Sequence, residues 1–142
     1  MKKLEDVMTR QVDYCEPDNN LYEAAVKMKK DGVGAIPVCK DDKVVGMVTD
    51  RDIVLRAVAE KKPNSTQVSE IMTEDILTAS PDTSVDEAAK LMAEEQVRRL
   101  PVVKDGKLEG MCSLGDLAVH TSTEDEAGYA LSEISEEPKY HH

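Results

Sequence analysis

Apolar residues recur at helical spacing in two places. Leu21, Ala24, Ala25 and Met28 fall at i, i+3, i+4 and i+7, and so do Val85, Ala88, Ala89 and Met92. Each set marks the buried face of an amphipathic helix. Asn20-x-x-Glu23 and Ser84-x-x-Glu87 signal the two helix starts, the second as a capping-box pattern. Gly32 supplies a C-terminal stop for the first helix. A short apolar run precedes each helix, Val12 to Cys15 and Ile76 to Ala79, and reads as a strand. Two further runs follow: Ile36 to Cys39 and Val44 to Thr49, then Leu100 to Val103 and Leu108 to Ser113. Between them lie Lys40-Asp41-Asp42-Lys43 and Lys104-Asp105-Gly106-Lys107, and the Asp-Gly of the second is a hairpin signal. A closing helix is predicted from near Asp50 and again from near Leu114. The pattern is β-α-β-β-α, written twice.

The two writings superpose. Sliding the chain by 64 residues puts Met8-Thr9 on Met72-Thr73, Pro17-Asp18 on Pro81-Asp82 and Pro37-Val38 on Pro101-Val102. It also puts Gly46-Met47 on Gly110-Met111 and Asp52 on Asp116. No gap is needed from Val7 to Leu117, and roughly a third of the pairs are identical, which marks an internal duplication. A unit of about 50 residues is small for a self-sufficient core, so the repeats are expected to pack sheet to sheet with pseudo-two-fold symmetry. The expected organisation is repeat 1 over residues 4–62, repeat 2 over 68–120, and an acidic tail over 121–142. Ala127, Leu131 and Ile134 give that tail the spacing of a short amphipathic helix, read as packing on its own module or a dimer mate rather than as a docking motif.

Composition narrows the functions. Phe and Trp are absent among the 142 residues, so Val, Ile, Leu, Met and Ala must build the core. The net charge of −11 argues against binding to a nucleic acid backbone or an anionic membrane surface. Nothing in MKKLEDVMTR resembles a signal-peptide core, and no apolar run suits a membrane span, so a soluble cytoplasmic protein is expected. The cysteines Cys15, Cys39 and Cys112 sit in apolar runs without C-x-x-C spacing and read as buried reduced thiols. The histidines are His120, His141 and His142, which do not make a zinc site; the final pair suits either a native end or the start of a purification tag. The sequence offers no evident nucleophile–base pair, and an enzyme is not expected.

VMTRQVDYCEPDNNLYEAA with GAIPVCKDDKVVGMVTDRD, then IMTEDILTASPDTSVDEAA with VRRLPVVKDGKLEGMCSLGD, resemble a CBS-domain pair, or Bateman module. The likeness spans roughly residues 4 to 120, and the layout is similar to small stand-alone CBS-pair proteins of bacilli. It implies an α/β (α+β) fold and a regulatory, non-catalytic role. The ligand it implies is an adenosine-containing molecule bound in clefts between the repeats: AMP, ADP or ATP ahead of NAD or S-adenosylmethionine. No required cofactor is implied. It also implies a homodimer that alters an unidentified partner protein. A structural or protein-interaction module with degenerate clefts is the alternative.

Within that resemblance the repeated phrases GMVTDRD and GMCSLGD become candidate ribose corners. An aspartate accepts hydrogen bonds from a vicinal diol, and a hydroxyl three residues earlier adds another. Thr49 with Asp52, and Ser113 with Asp116, fit. They fit equally as helix N-caps with first-turn acids, and the two roles are compatible. Arg98 and Arg99 are the phosphate candidates, through bidentate guanidinium contacts, or are solvated cations at a strand entrance. Gly34 and Ala35 occupy the matching positions in repeat 1. Family analogy groups Thr49 and Asp52 with Arg98, Arg99 and Leu77, and groups Ser113 and Asp116 with Gly34 and Asp13. Leu77, Thr78 and Tyr14 are candidate base contacts; Tyr14 either stacks on a purine or fills the cleft.

Overall fold

The structure is a computed structural model that describes residues 2–120. The tail expected at 121–142, with its candidate helix, lies outside the described residues. The fold mixes α and β elements, and both copies keep the 64-residue shift. The elements are α1 (Leu4–Val7), α2 (Leu21–Asp31), β1 (Ala35–Lys40), β2 (Lys43–Thr49) and α3 (Asp50–Asp52), which runs into a π-helical segment (Ile53–Val58). A 3-10 turn (Val68–Glu70) leads to α4 (Val85–Glu95), β3 (Arg99–Lys104), β4 (Lys107–Ser113) and α5 (Leu114–His120).

Contacts divide the chain into two compact units, and these do not coincide with the linear repeats. One is Asp13–Ile76; among the described residues the other joins 2–12 with 77–120. Each repeat has given its leading segment to the other unit. Leu4 of α1 is fully buried in a core with Met92, Leu100 and Leu117. Its counterpart Val68 is fully buried with Leu21, Ile36 and Val48. The cause is local. Polar residues flank each leading turn, so its few apolar side chains, Leu4 with Met8 or Val68 with Ile71, must find a core elsewhere.

Each unit is built on one antiparallel hairpin, β1–β2 or β3–β4, with a bulge at Val38/Cys39 and again at Val102/Val103. Both turns hold two successive residues at positive φ. Asp41 and Asp42 lie at 51° and 67°, and Asp105 and Gly106 at 53° and 81°. That is the backbone a tight hairpin needs to match strand twist. The runs expected as strands before each helix contribute a single parallel bridge apiece, Cys15 to Val38 and Ala79 to Val102. Pro17 and Pro81, two residues on, are poor continuations of a ladder.

Pro37 and Pro101 sit inside β1 and β3 without costing a bond. Pro37 faces Met47, whose amide and carbonyl both turn away to Thr73. On its other side the bridge uses the Pro37 carbonyl and the Cys39 amide, at 2.9 and 2.8 Å. Pro101 repeats the arrangement between Met111 and Ala79. The helices follow their signals unequally. Asn20 and Glu23 complete a reciprocal capping box, whereas Ser84 caps Glu87 and Glu87 does not return the bond. Gly32 ends α2 at φ 66°, and Gln96 ends α4 in the same left-handed conformation.

Candidate functional site

GMVTDRD and GMCSLGD each build a strand end, a close backbone approach and a capped turn. At the glycine the chain from the exchanged leading segment comes in. Met47 and Thr73 trade both backbone hydrogen bonds, at 2.9 and 2.8 Å, and Thr9 and Met111 do the same at 2.9 and 3.0 Å. A Cβ on Gly46 would lie 2.7 Å from the Thr73 carbonyl oxygen, and one on Gly110 2.7 Å from that of Thr9. Only hydrogen fits at either glycine. The repeated Met-Thr pair and the repeated Gly-Met pair are therefore two halves of one clasp, formed once in each unit.

The hydroxyl and the aspartate then close a reciprocal box. Thr49 Oγ1 accepts from the Asp52 amide at 3.0 Å, and Asp52 Oδ2 accepts from the Thr49 amide at 3.0 Å. Ser113 and Asp116 match them at 3.1 and 3.0 Å. Each box satisfies two amides that a helix start leaves unpaired. The two candidate ribose corners are thus both well-formed caps.

Their surroundings differ. In the Asp13–Ile76 unit the position opposite Thr49 is Ala35, and Asp50 covers Gly34, its Oδ2 only 2.9 Å from where a Cβ would stand. In the other unit Arg99 lies directly across from Ser113, and the Leu114 amide donates to the Arg98 carbonyl at 2.9 Å. Leu100 and Cys112 are fully buried in that unit's core, so alternation turns Arg99 and Ser113 to the opposite face of the hairpin. Arg98 is exposed and Arg99 half-buried. Leu77 and Thr78 belong to this unit too, with Leu77 half-buried against its core and Thr78 exposed.

The first unit holds Thr49, Asp52, Gly34, Asp13 and Tyr14. Tyr14 is exposed at 44%, its ring available rather than packed away. Asp13 is neutralised at home. Lys27 donates to its Oδ1 at 2.9 Å, which holds the Asp13 carboxyl below its usual range and pushes the Lys27 ammonium above its own. The units thus group the candidates as Arg98, Arg99, Leu77 and Thr78 with Ser113 and Asp116, and Tyr14 with Thr49 and Asp52.

Two further residues engage the first corner. The Thr73 hydroxyl stands 3.3 Å from each Asp52 carboxylate oxygen, and Arg56 Nε stands 3.8 Å from Oδ1. Arg56 also donates to the carbonyls of Ile71 and Met72, at 3.3 and 3.2 Å. Thr73 was visible only as half of a repeated Met-Thr pair, and Arg56 only as a cation four residues after Asp52.

Other chemistry is quiet. All three thiols are free and buried, and burial pushes Cys15 and Cys112 up to about 11 and Cys39 upward. Among the described residues no three His, Cys, Asp or Glu side chains gather as a metal would need, and no helix is long and apolar enough to cross a membrane.

Comparison with known proteins gives one family. The CBS-domain profile matches residues 4–58 and again 68–121. The Bacillus subtilis protein YlbB is 52% identical over 138 residues, covering 96% of this chain and 93% of its own. Among solved structures, Hypoxic Response Protein I with two coordinated zinc ions superposes with a TM-score of 0.78 at 33% identity, over 84% of this chain and 98% of its own. CBSX2 in complex with AMP superposes with a TM-score of 0.74 at 29% identity, over 84% and 95%.

Proposed function

The chain belongs to the CBS-domain family and carries that domain twice, as a CBS-pair regulatory module, and we propose that it senses an adenosine-containing ligand, with AMP, ADP and ATP ahead of NAD and S-adenosylmethionine. The observation that carries this reading is the duplicated hydroxyl–carboxylate corner, Thr49 with Asp52 and Ser113 with Asp116, each held rigid by its own capping box. A preformed acceptor pair meets a ribose diol with little ordering cost. Arg98 and Arg99 supply the cations for phosphate, on a chain otherwise strongly acidic. Leu77, Thr78 and Tyr14 are the surfaces offered to a base. The AMP-bound neighbour supports the choice of ligand.

The module works without catalysis in the cytoplasm, and ligand binding shifts its conformation or its association with a second copy and so alters a partner protein. Such a shift requires unequal ligand affinity for the two states. The exposed Tyr22, Val26, Val54, Leu55 and Val58 suit self-association of the chain. Thermal-shift titration tests the reading with AMP, ADP, ATP, NAD and S-adenosylmethionine, with and without magnesium. It is run on the wild type and on the Asp52→Ala, Asp116→Ala and Arg99→Ala variants. A saturable rise in Tm with an adenine nucleotide, lost in Arg99→Ala and in at least one aspartate variant, is the expected result. No shift with any ligand favours a module whose clefts serve structure or protein interaction alone.

A further inference from the structure

Asp52 has more partners than a capping acid needs. Its Oδ2 accepts from the Thr49 amide at 3.0 Å, both its oxygens face the Thr73 hydroxyl at 3.3 Å, and Arg56 stands at 3.8 Å. At 8% exposure, the residue leaves little of its carboxylate open to solvent. Arg56 extends the network to the Ile71 and Met72 carbonyls from within a π-helical segment, a rare conformation that changes which side chains share a face. The second copy repeats only the cap. Among the described residues Asp116 is bonded to Ser113 alone. The place of Arg56 is taken by His120, which pairs with Lys2 at 3.2 Å, and Thr9 makes its backbone exchange with Met111 without reaching Asp116.

We propose that Thr73 and Arg56 form a latch on Asp52 that sets the affinity of this corner for ligand hydroxyls; the ligand half of this proposal rests on the reading given under Proposed function. A carboxylate offers about four acceptor positions. Thr49, Thr73 and Arg56 already address both oxygens. A vicinal diol brings two O–H donors to the same place, so it binds Asp52 by displacing the single Thr73 hydroxyl and weakening the Arg56 contact. The segment at 71–73 then loses the Thr73 hold on Asp52 and keeps the backbone exchange with Met47 and the Arg56 bonds to the Ile71 and Met72 carbonyls. Occupancy of the corner and the Thr73 hold exclude one another, and each must weaken the other by the same factor. Among the described residues Asp116 has no such competitor.

The test uses the full chain with Thr73→Val, Arg56→Met and, as the counterpart in the other copy, Thr9→Val. Tm is measured without ligand, and affinity is measured calorimetrically for AMP and for its 2′,3′-dideoxy analogue. Thr73→Val and Arg56→Met are expected to lower Tm while tightening AMP by roughly fivefold or more, with no gain for the dideoxy analogue. Thr9→Val is expected to leave AMP affinity unchanged. Lowered Tm with unchanged or weaker AMP binding would mean that both residues are structural only and overturns the affinity-setting role. Unchanged Tm in both variants overturns the latch itself. If neither wild type nor any variant binds AMP, the affinity-setting role falls together with the functional reading, and the ligand-free Tm values still decide whether the latch exists.

Discussion

The Asp13–Ile76 unit and the unit around α4 solve the same construction problem with different chemistry. Where the first has Asp13 and Lys27 as a half-buried ion pair, the second has Leu77 and Leu91 at the matching positions. Where the first closes its corner with Asp50 over Gly34 and with Thr73 and Arg56 on Asp52, the second leaves Arg98 and Arg99 beside a less engaged Asp116. The clasp, the capping box and the bulge are kept in both. What the duplication preserves is backbone geometry; what it lets drift is the charge around it. The first copy satisfies its polar groups internally, while the second presents them.

Breaking the shared parts measures how equal the copies are. Leu4→Ala should have the largest effect, about 2–5 kcal/mol, because the side chain is fully buried despite lying near the start of the chain. Val68→Ala removes fewer methyl groups and should cost less, and urea denaturation checks both. If Leu4→Ala costs no more than a surface change, the exchanged segment contributes nothing to that unit's core.

Next come the clasp glycines. Gly110→Ala should cost about 1–3 kcal/mol, since the new methyl meets Thr9 O and Met8 Sδ, each at 2.7 Å. Gly46→Ala meets its nearest sulfur at 3.1 Å and should cost less, because the methionine has more room to yield. Equal losses of Tm would show that the clasp carbonyl alone decides the penalty.

Asp42→Gly makes the first hairpin turn like the second. With φ at 67°, an L side chain there is strained, and its removal should stabilise by about 1 kcal/mol. The same measurement on Gly106→Asp should show the reverse.

The smallest effect belongs to the ion pair. Asp13→Asn should cost under about 1 kcal/mol at neutral pH, because both partners remain about a third exposed. The sign follows from linkage. Asp13 is depressed, so its contribution is present above the unfolded value near 3.8 and is lost as pH falls through the folded one. Lys27 is raised, so its contribution is present below 10.5 and is lost as pH rises through its folded value. The Tm gap between wild type and variant should be flat between those limits and should shrink outside them. Leu77→Ala in the other unit should give a gap that does not change with pH.

Much of this comparison could be read from the sequence because it depends on local periodicity. The helical stripes of α2 and α4, the hairpins with their turns, and the boxes at Thr49 and Ser113 are all set by residues a few positions apart. The exchange of leading segments was not legible, because a short apolar stretch such as Leu4 to Met8 does not say which core receives it. The same limit hid Thr73: its value lies in reaching Asp52, 21 residues away. Arg98 and Arg99 were found by type. Their placement across from Ser113 needed the β3–β4 register.

The exchange also fixes an order of events during synthesis. The Asp13–Ile76 unit is made of contiguous chain and can close as soon as the ribosome has released Ile76. Leu4 leaves the ribosome before any of that unit, yet its companions Met92, Leu100 and Leu117 are made after it. The Leu4 segment must wait, apolar side chain exposed, while a complete unit forms behind it. At about 5–20 residues per second this interval lasts several seconds. The second unit therefore gathers its core from two stretches of chain that are separated in sequence by the whole of the first unit.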